Sequence, residues 1–390
     1  MRVDPVAIVA AGVVTPIGAD LDAFWSGLVD GRDGISTIER FRVDDLRVGR
    51  AGEIKEIPLA AGERPAACRA TSLLLAAARD LLRRSTLDAD PARIAVVVGT
   101  ALGGVEQLEQ ALDGKDDRLR RVGAALYDSP GHALARRLGA RGPALTVSTA
   151  CASGATAIGV GADLLRADRA DVVIAGGFDG LCRFVMRGFD ALRSLTRERV
   201  RPFDRRRSGL LLGEGAALVL MARDRDASGP RLGRLLGHAS TSDGAHIAAP
   251  HPDGRGLVAA IAGALGQAGL AGRDVDFVSA HGTGTTLNDR IETAALKQAL
   301  GPRAGEIPVN SIKGALGHTM GAAATVEAIM CLLASREGIV PPTLGYEQAD
   351  PACDLDYVPL AARRLRTRVS VSTSLGFGGC NAALVLEGQG

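Results

Sequence analysis

The sequence contains few aromatic residues and no long apolar run. Phe, Tyr and Trp make up 3% of the 390 residues, whereas the hydrophobic residues together reach 46%. The core must therefore be built mainly from aliphatic side chains, and 50 glycines predict many tight turns and close helix contacts. No stretch of about 18 uninterrupted apolar residues occurs, so no membrane-spanning helix is expected.

The cysteines and charges exclude further classes of protein. The six cysteines are scattered and show no CxxC or Cys/His spacing, so we expect neither a structural zinc site nor a disulfide framework. Scattered free cysteines favour a reducing, cytoplasmic setting. The net charge of +2 is near balance, which argues against a general nucleic-acid-binding protein. Residues 6–9 have the pattern of a strand before a Gly/Pro turn, unlike a signal peptide.

Strand-like and helix-like segments alternate along the chain, which predicts a layered α/β fold. Strands are predicted at residues 6–11, 93–98, 170–175, 216–222, 275–280, 309–311, 369–374 and 382–387. Helices are predicted at residues 21–28, 72–84, 257–269 and 320–332. A turn followed by a small-residue helix occurs in both halves of the chain. We therefore predict two similar halves, residues 1–225 and 226–390, related by a pseudo-twofold axis within one rigid unit.

The first candidate functional residue is Cys151, in residues 147–155. A β-branched run ends there, and a helix rich in Gly and Ala follows at once. Unpaired N–H groups and the dipole at a helix N-terminus favour a thiolate. On its own, a buried and inert cysteine would be the more common explanation, so the interpretation depends on partners elsewhere.

Two histidines on glycine-rich turns supply such partners. His281 follows an apolar run and precedes a Gly/Thr turn, and His318 closes a segment that also contains Lys313. A thiol nucleophile needs a base or a positive dipole, and a carbonyl substrate needs hydrogen-bond donors for its developing oxyanion. The cysteine and the two histidines supply both, which points to acyl-transfer chemistry.

With these motifs in view, the chain resembles the β-ketoacyl-acyl carrier protein synthases of the thiolase superfamily, of the KAS II type and the type II polyketide ketosynthases. The resemblance covers essentially the whole length. Besides the cysteine, histidine and lysine motifs it rests on residues 10–18, 201–204, 213–216 and 376–379. It implies a thiolase-like fold of two βαβαβαββ halves in a five-layered α-β-α-β-α core. It also implies an acyltransferase of fatty-acid or type II polyketide biosynthesis, polyenes included.

The resemblance assigns catalytic roles residue by residue. Cys151 would accept the acyl group, and His281 and His318 would hold the malonyl thioester carbonyl during loss of carbon dioxide. The backbone N–H groups of Cys151 and Phe377 would bind the oxyanion. Lys313 would pair with the acids Glu292 and Glu327 and orient the histidines.

The resemblance also implies binding residues and partners. No cofactor is expected, because the phosphopantetheine arrives attached to an acyl carrier protein, and the partner chain is expected to be a second copy, with a chain-length partner as the alternative. An arginine-rich rim is a separate hypothesis for docking of the acidic carrier protein. The expected substrate contacts are Leu102, Thr283, Thr285, Asp243, His246 and Gly378, and the docking candidates are Arg205, Arg206 and Arg207.

Two departures leave alternatives open. The stretch between Leu102 and Cys151 is shorter than in typical elongating enzymes, which leaves substrate length and partner identity undetermined. Cys380 stands where the family usually has threonine, and we interpret it as a passive substitution. The alternatives are a non-catalytic chain-length subunit, a thiolase using CoA, and an acyltransferase that passes the acyl group to another nucleophile.

Overall fold

The computed structural model describes residues 2–66, 68–114, 118–227 and 229–389. The strands in these ranges are β1 Val6–Val14, β2 Ser36–Thr37, β3 Arg50–Ala51, β4 Ile94–Gly99, β5 Ala144–Val147, β6 Val172–Asp179, β7 Gly215–Arg223, β8 Gly233–Ser242, β9 Phe277–Ser279, β10 Val309–Asn310, β11 Ile339–Val340, β12 Arg363–Arg364, β13 Val369–Gly376 and β14 Cys380–Gly388. The helices are α1 Leu21–Val29, α2 Arg69–Arg84, α3 Val105–Leu112, α4 Arg118–Ala125, α5 Ser129–Leu138, α6 Ser153–Arg166, α7 Arg183–Ala191, α8 Arg255–Ala268, α9 Thr286–Leu300, α10 Lys313–Leu316 and α11 Ala323–Glu337.

Ten strands form one mixed sheet in the order β10-β9-β13-β14-β8-β1-β7-β6-β4-β5. At its middle, β1 and β8 pair only between residues 6–8 and 233–235, so two five-stranded halves meet at a narrow junction. The halves repeat each other: β1, β4, β5, β6 and β7 have the same order and directions as β8, β9, β10, β13 and β14. This repetition confirms the predicted thiolase-like α/β architecture.

The helices form three layers around these two halves of the sheet. Helices α2 and α5 cover the outer face of the first half, and α8 covers the second, with α9 packed against α8. Between the halves, α6 and α11 pack against each other and against strands of both. The result is the predicted α-β-α-β-α order of layers.

The central helices approach closely because their contact surface is built from small residues. A Cβ atom at Gly154 of α6 would lie 2.5 Å from the hydroxyl oxygen of Thr325 on α11 and 2.8 Å from the Gly321 carbonyl oxygen. Residues 323–335 of α11 are buried throughout, which is typical of a helix inside a core. The N-termini of α6 and α11 therefore meet near the pseudo-twofold axis, and this arrangement brings Cys151 and His318 to one site.

No helix in the described ranges is long and apolar enough to cross a membrane.

Candidate active site

A cavity of about 430 Å³ opens where the ends of the central helices meet. Its wall includes Cys151, His281, His318 and Phe377, which the sequence analysis had singled out from segments far apart in the chain. Four groups with the chemistry of acyl transfer therefore share one cavity.

The backbone around Cys151 directs its side chain into this cavity. Ala150 has a φ of +50°, a left-handed conformation that L-residues rarely adopt. The backbone N–H of Phe377 lowers the pKa of the cysteine thiol, and the turn that carries it lies close, since a Cβ on Gly376 would be 3.1 Å from the Cys151 nitrogen. The thiol therefore lies beside a backbone donor that can also serve an oxyanion.

Burial and charge act in opposite directions on the Cys151 thiol. Burial raises its pKa to about 12, and the positive charge of Lys313 and the Phe377 N–H pull the pKa down. Asp179 and Glu327 push the pKa up. The thiolate favoured by the helix N-terminus is thus opposed by burial, and in the resting enzyme the sulfur keeps its proton at neutral pH.

The hydrogen bonding of His318 fixes which ring nitrogen carries its proton. The Met320 N–H donates to His318 Nδ1 at 3.2 Å, so the proton resides on Nε2. His318 Nε2 and His281 Nδ1 are buried and have no protein partner within the described chain. The two rings lie edge to face with their centroids 5.2 Å apart. The free Nε2–H of His318 is thus available to donate to a ligand in the cavity.

Both imidazoles are held neutral. Burial lowers the pKa of His281 and of His318 well below the usual value, and the positive charge of Lys313 lowers both further. A neutral imidazole offers one N–H donor and one acceptor. These two rings are therefore suited to donating hydrogen bonds to a carbonyl oxygen and not to carrying a positive charge.

Lys313 and the two acids near it have different partners. Lys313 Nζ forms a buried ion pair with Glu327, whose pKa burial raises to about 7 against the opposing effect of the lysine. Glu292 instead accepts the N–H groups of His281 and Gly282 at 2.7 and 2.8 Å, and the Thr373 hydroxyl at 2.8 Å. The expected pairing of Lys313 with both acids is therefore right for Glu327 and wrong for Glu292, which holds the histidine turn.

Asp179 was not singled out by the sequence analysis, yet it joins the two halves beside the cavity. Its buried carboxylate accepts the N–H groups of Ala101, Leu102 and Gly321 and the hydroxyl of Thr100. Burial raises its pKa to about 6, opposed by these donors. It connects the turn after β4 to the residues just before α11, and no local sequence motif indicates this role.

Some of the residues expected to contact substrate line the cavity, and others do not. Thr283, Thr285, Asp243 and His246 line the cavity, whereas Leu102 and Gly378 are not among its lining residues. The Thr283 and Thr285 hydroxyls bond each other at 2.9 Å. Leu102 packs against an apolar cluster that includes Leu181 and Leu195, while Gly378 is tied to the backbone of Ile247.

Residues 243–251 form a loop in the wall of the cavity, and Asp243 anchors this loop. Its carboxylate accepts the Asn381 side-chain amide at 2.9 Å and the His251 N–H at 2.9 Å. His246 Nδ1 accepts the N–H groups of Ala248 and Ala249. The loop is therefore held through its first residue and closed by a local turn.

The three arginines expected on the rim have different environments. Arg207 is buried and paired with Asp350, so its assignment to an exposed docking surface is wrong. Arg206 is exposed but forms an ion pair with Glu347. Arg205 is exposed.

The cavity has further walls that the sequence did not reveal. Phe189 of α7 stacks on Phe377 with ring centroids 5.3 Å apart, and Arg193, also with a positive φ, is exposed at the cavity edge. Asn288 of α9 is buried and faces the cavity. Within the described ranges, no cluster of His, Cys, Asp and Glu could hold a metal ion.

Comparison with known families agrees with this geometry. The model of the β-ketoacyl synthase N-terminal domain matches residues 3–227, and that of the C-terminal domain matches residues 232–347. The chain is 39% identical to the tetracenomycin polyketide synthase ketoacyl synthase alpha subunit of Streptomyces glaucescens, over 98% of this chain and 96% of that protein. It is 36% identical to a 3-oxoacyl-[acyl-carrier-protein] synthase 2 of Synechocystis sp., over 98% and 97%.

Solved structures give the same result. A chain in the structure of the ishigamide ketosynthase/chain length factor superposes with a TM-score of 0.94 at 32% identity, with both chains fully covered. A chain in the structure of a type II polyketide acyl-carrier protein in complex with its ketosynthase superposes with a TM-score of 0.91 at 27% identity, over 99% of this chain and 100% of that one.

Proposed function

The chain belongs to the β-ketoacyl synthase family of condensing acyltransferases, and on that premise we propose the roles of its individual residues. Cys151 carries the acyl group, His281 and His318 activate the malonyl unit, and the Phe377 N–H stabilises the oxyanion. The observation that carries this proposal is the meeting of these four groups in one cavity.

The first half-reaction is a thioester exchange. The Cys151 sulfur attacks the acyl thioester carbonyl, the carbon–sulfur bond to the pantetheine breaks, and the proton lost by Cys151 ends on the departing thiol. Because the thiol pKa is about 12 in the resting state, proton loss has to accompany attack. The oxyanion formed in this step accepts hydrogen bonds from backbone N–H groups beside the sulfur.

The second half-reaction is a decarboxylative condensation. The malonyl thioester loses carbon dioxide, and the electron pair of the broken carbon–carbon bond forms an enolate. The neutral imidazoles of His281 and His318 donate hydrogen bonds to the enolate oxygen. The enolate carbon then attacks the acyl-Cys151 carbonyl, the cysteine leaves, and its sulfur takes up one proton.

The Lys313–Glu327 pair serves this site without touching the reacting atoms. The lysine charge lowers the pKa of both histidines and of Cys151. Glu327 holds that charge in place, because a buried cation without a partner would be strongly unfavourable.

We further propose that the acyl and malonyl groups arrive on an acyl carrier protein. A relative of the same fold has been solved in complex with its carrier protein. Arg193 at the cavity edge is an exposed cation, and so is Arg205 elsewhere on the surface; both are suited to an acidic partner, and several such charges together steer encounter. A cytoplasmic location agrees with a cysteine nucleophile and with five further cysteines that are all unpaired.

A second chain of the same fold is the other expected partner. Exposed apolar side chains lie on the edge strand β5, on helices α3 and α4 and in the turn between α4 and α5. They are here called the edge patch and comprise Leu108, Leu112, Leu119, Val122, Leu126, Tyr127 and Leu145. An open apolar sheet edge of this kind favours pairing with another chain. A copy of this chain or a chain-length factor, as in the ishigamide relative, would cover it.

Intact-protein mass spectrometry tests the core of the proposal. Incubation with a panel of acyl-carrier proteins is expected to add one acyl group to the wild-type chain and none to Cys151→Ala. Release of carbon dioxide from malonyl-carrier protein then distinguishes condensation from transfer to another nucleophile. An acyl adduct that persists in Cys151→Ala would refute the assignment, with Cys380 the first residue to check.

A further inference from the structure

Asn288 occupies an unusual position at the start of α9. Its side chain is only 8% exposed and lines the cavity that also contains Cys151. Its Nδ2 lies 3.2 Å from Asp289 Oδ1 and 3.3 Å from Glu292 Oε2. One amide group therefore contacts two buried carboxylates while facing the cavity.

The chemistry of these neighbours fixes the orientation of the amide. Asp289 accepts backbone N–H groups from Phe203 and Gly284, and Glu292 accepts those of His281 and Gly282. Carboxylates that act as acceptors require a donor from Asn288, so the NH2 group faces them. The carbonyl oxygen Oδ1 is left toward the cavity, and within the described chain no protein group donates to it.

The position of Asn288 along the cavity indicates which part of a substrate meets this oxygen. The chain runs from His281, beside Cys151, through Thr283 and Thr285 to the exposed Thr286 and Leu287. Asn288 follows the exposed Leu287 in the chain and lines the same cavity as His281, Thr283 and Thr285. A carrier-bound substrate would place its pantetheine arm here.

A pantetheine arm is an uncharged chain with two secondary amides, and each amide N–H needs an acceptor once it leaves water. Nearby hydroxyls each use part of their capacity: Thr283 and Thr285 share one hydrogen bond, Ser194 donates to the Phe189 carbonyl, and Ser208 and Thr196 share another. Each of these oxygens keeps a lone pair, whereas within the described chain the Asn288 carbonyl oxygen has both of its lone pairs free. The Asn288 carbonyl is an unpaired acceptor in the same wall.

We propose that Asn288 binds the pantetheine arm by accepting a hydrogen bond from one of its amide N–H groups through Oδ1. This inference rests on the proposed use of carrier-bound thioesters. Because the other end of the same side chain holds Asp289 and Glu292, which in turn hold the backbone of His281 and Gly284, binding of the arm is coupled to the turn that positions His281.

A double-mutant cycle between enzyme and substrate tests this hydrogen bond. Acylation of Cys151 is measured with an acyl-pantetheine thioester and with two analogues, each having one amide N–H replaced by an ester oxygen. In the wild-type enzyme, the analogue that lacks the contacted N–H is expected to have a KM raised about five- to tenfold, the usual effect of one neutral hydrogen bond. In Asn288→Ala, that penalty is expected to disappear.

The design separates the possible failures. Asn288→Ala should fold, because Asp289 and Glu292 each keep at least two backbone donors. Asn310→Ala is the matched control, because it removes a buried asparagine outside the cavity wall. Whatever its turnover, this variant should show the same rise in KM with the ester analogue as the wild-type enzyme.

Each result has a defined meaning. Absence of an ester penalty in the wild-type enzyme overturns the role of Asn288 even if the variant cannot be purified. A penalty that persists in Asn288→Ala also overturns it, because another group then accepts the N–H. Failure of the unmodified thioester to acylate Cys151 would instead refute the proposed function.

Discussion

At the scale of single residues, the reactivity of Cys151 depends on two buried charges of opposite sign. Lys313 lowers the pKa of the thiol, whereas Glu327 raises it. The two side chains are paired with each other, so their effects on the sulfur partly cancel. Replacing either one alone should therefore change the thiolate fraction in a predictable direction.

We expect alkylation of the resting enzyme by iodoacetamide to keep accelerating as the pH rises past 9, because a thiol with a pKa of about 12 gains thiolate throughout that range. At a fixed pH, Lys313→Met should react more slowly than wild type. Glu327→Gln should react faster, because the glutamine removes the negative charge while its amide oxygen still accepts a hydrogen bond from the Lys313 ammonium. Rates followed by mass spectrometry give the comparison. Changes of the same sign in both variants would mean that packing, and not charge, controls the sulfur.

The two histidines should affect the two half-reactions differently. His281→Ala and His318→Ala are expected to retain acyl transfer to Cys151 but to lose about a hundredfold or more in carbon dioxide release, because each removes a preorganised donor to the enolate. Single-turnover acylation and carbon dioxide release from malonyl-carrier protein measure the two steps separately. Near wild-type carbon dioxide release in both variants would exclude this role.

At the scale of secondary-structure elements, Asp179 connects β6 with the turn after β4 and with the segment that leads into α11. Its pKa is raised from 3.8 to about 6. An acid whose pKa is higher in the folded than in the unfolded state stabilises the fold below the unfolded pKa. That contribution is lost as the pH rises through the folded pKa.

We therefore predict a pH-dependent difference between the wild-type enzyme and Asp179→Asn. Loss of acceptor oxygens should destabilise the variant at every pH, because buried N–H groups are left unpaired. As the pH rises from 4 to 6, however, the free energy of unfolding of the wild type should fall by on the order of 3 kcal/mol, whereas that of the variant should not. The difference in stability between the two proteins should therefore become smaller. Urea unfolding across that range measures this. A gap that is constant with pH would mean that Asp179 does not titrate near 6.

The elements that the sequence predicted well are those with continuous apolar patterns. Helix α2 and strands β4 and β13 occur within three residues of their predicted ends, because burial on a sheet face or helix stripe is written into local periodicity. Cys151, His281 and His318, for which we propose catalytic roles, could be picked out for another reason, since each lies in a local motif.

What the sequence could not provide were contacts between segments distant in the chain. Asp179 and Gly321 are 142 positions apart, and nothing near either residue indicates their hydrogen bond. The burial of Arg207 likewise depends on Asp350 in a later segment, so a run of three arginines looked uniformly exposed. The stack of Phe189 on Phe377 is hidden for the same reason.

At the scale of the whole molecule, the pseudo-twofold arrangement leaves its two sheet ends unequal. The β10 end is short and fully buried, whereas β5 is partly exposed and Leu145 on it is 40% exposed. The edge patch also includes side chains of α3 and α4, where Leu112 and Leu119 are 73% and 91% exposed. Exposure of so many large apolar side chains predicts a partner that covers them.

Light scattering after size exclusion should give a mass of at least two chains for the wild type. Leu145→Arg should weaken this assembly, because a charge on an edge strand opposes strand pairing. Leu82→Arg on α2 is the matched control: it changes a leucine of similar exposure, 39%, outside the edge patch, and should leave the assembly intact.

The partner's identity follows from how the chain behaves alone. A stable particle of twice the mass of one chain indicates self-association. Aggregation that is relieved only by co-expression with a chain-length factor of the same pathway indicates a heterodimer, because the edge patch then fits a non-identical surface. A monomer that condenses acyl and malonyl groups at full rate would show that the edge patch is not an interface required for catalysis.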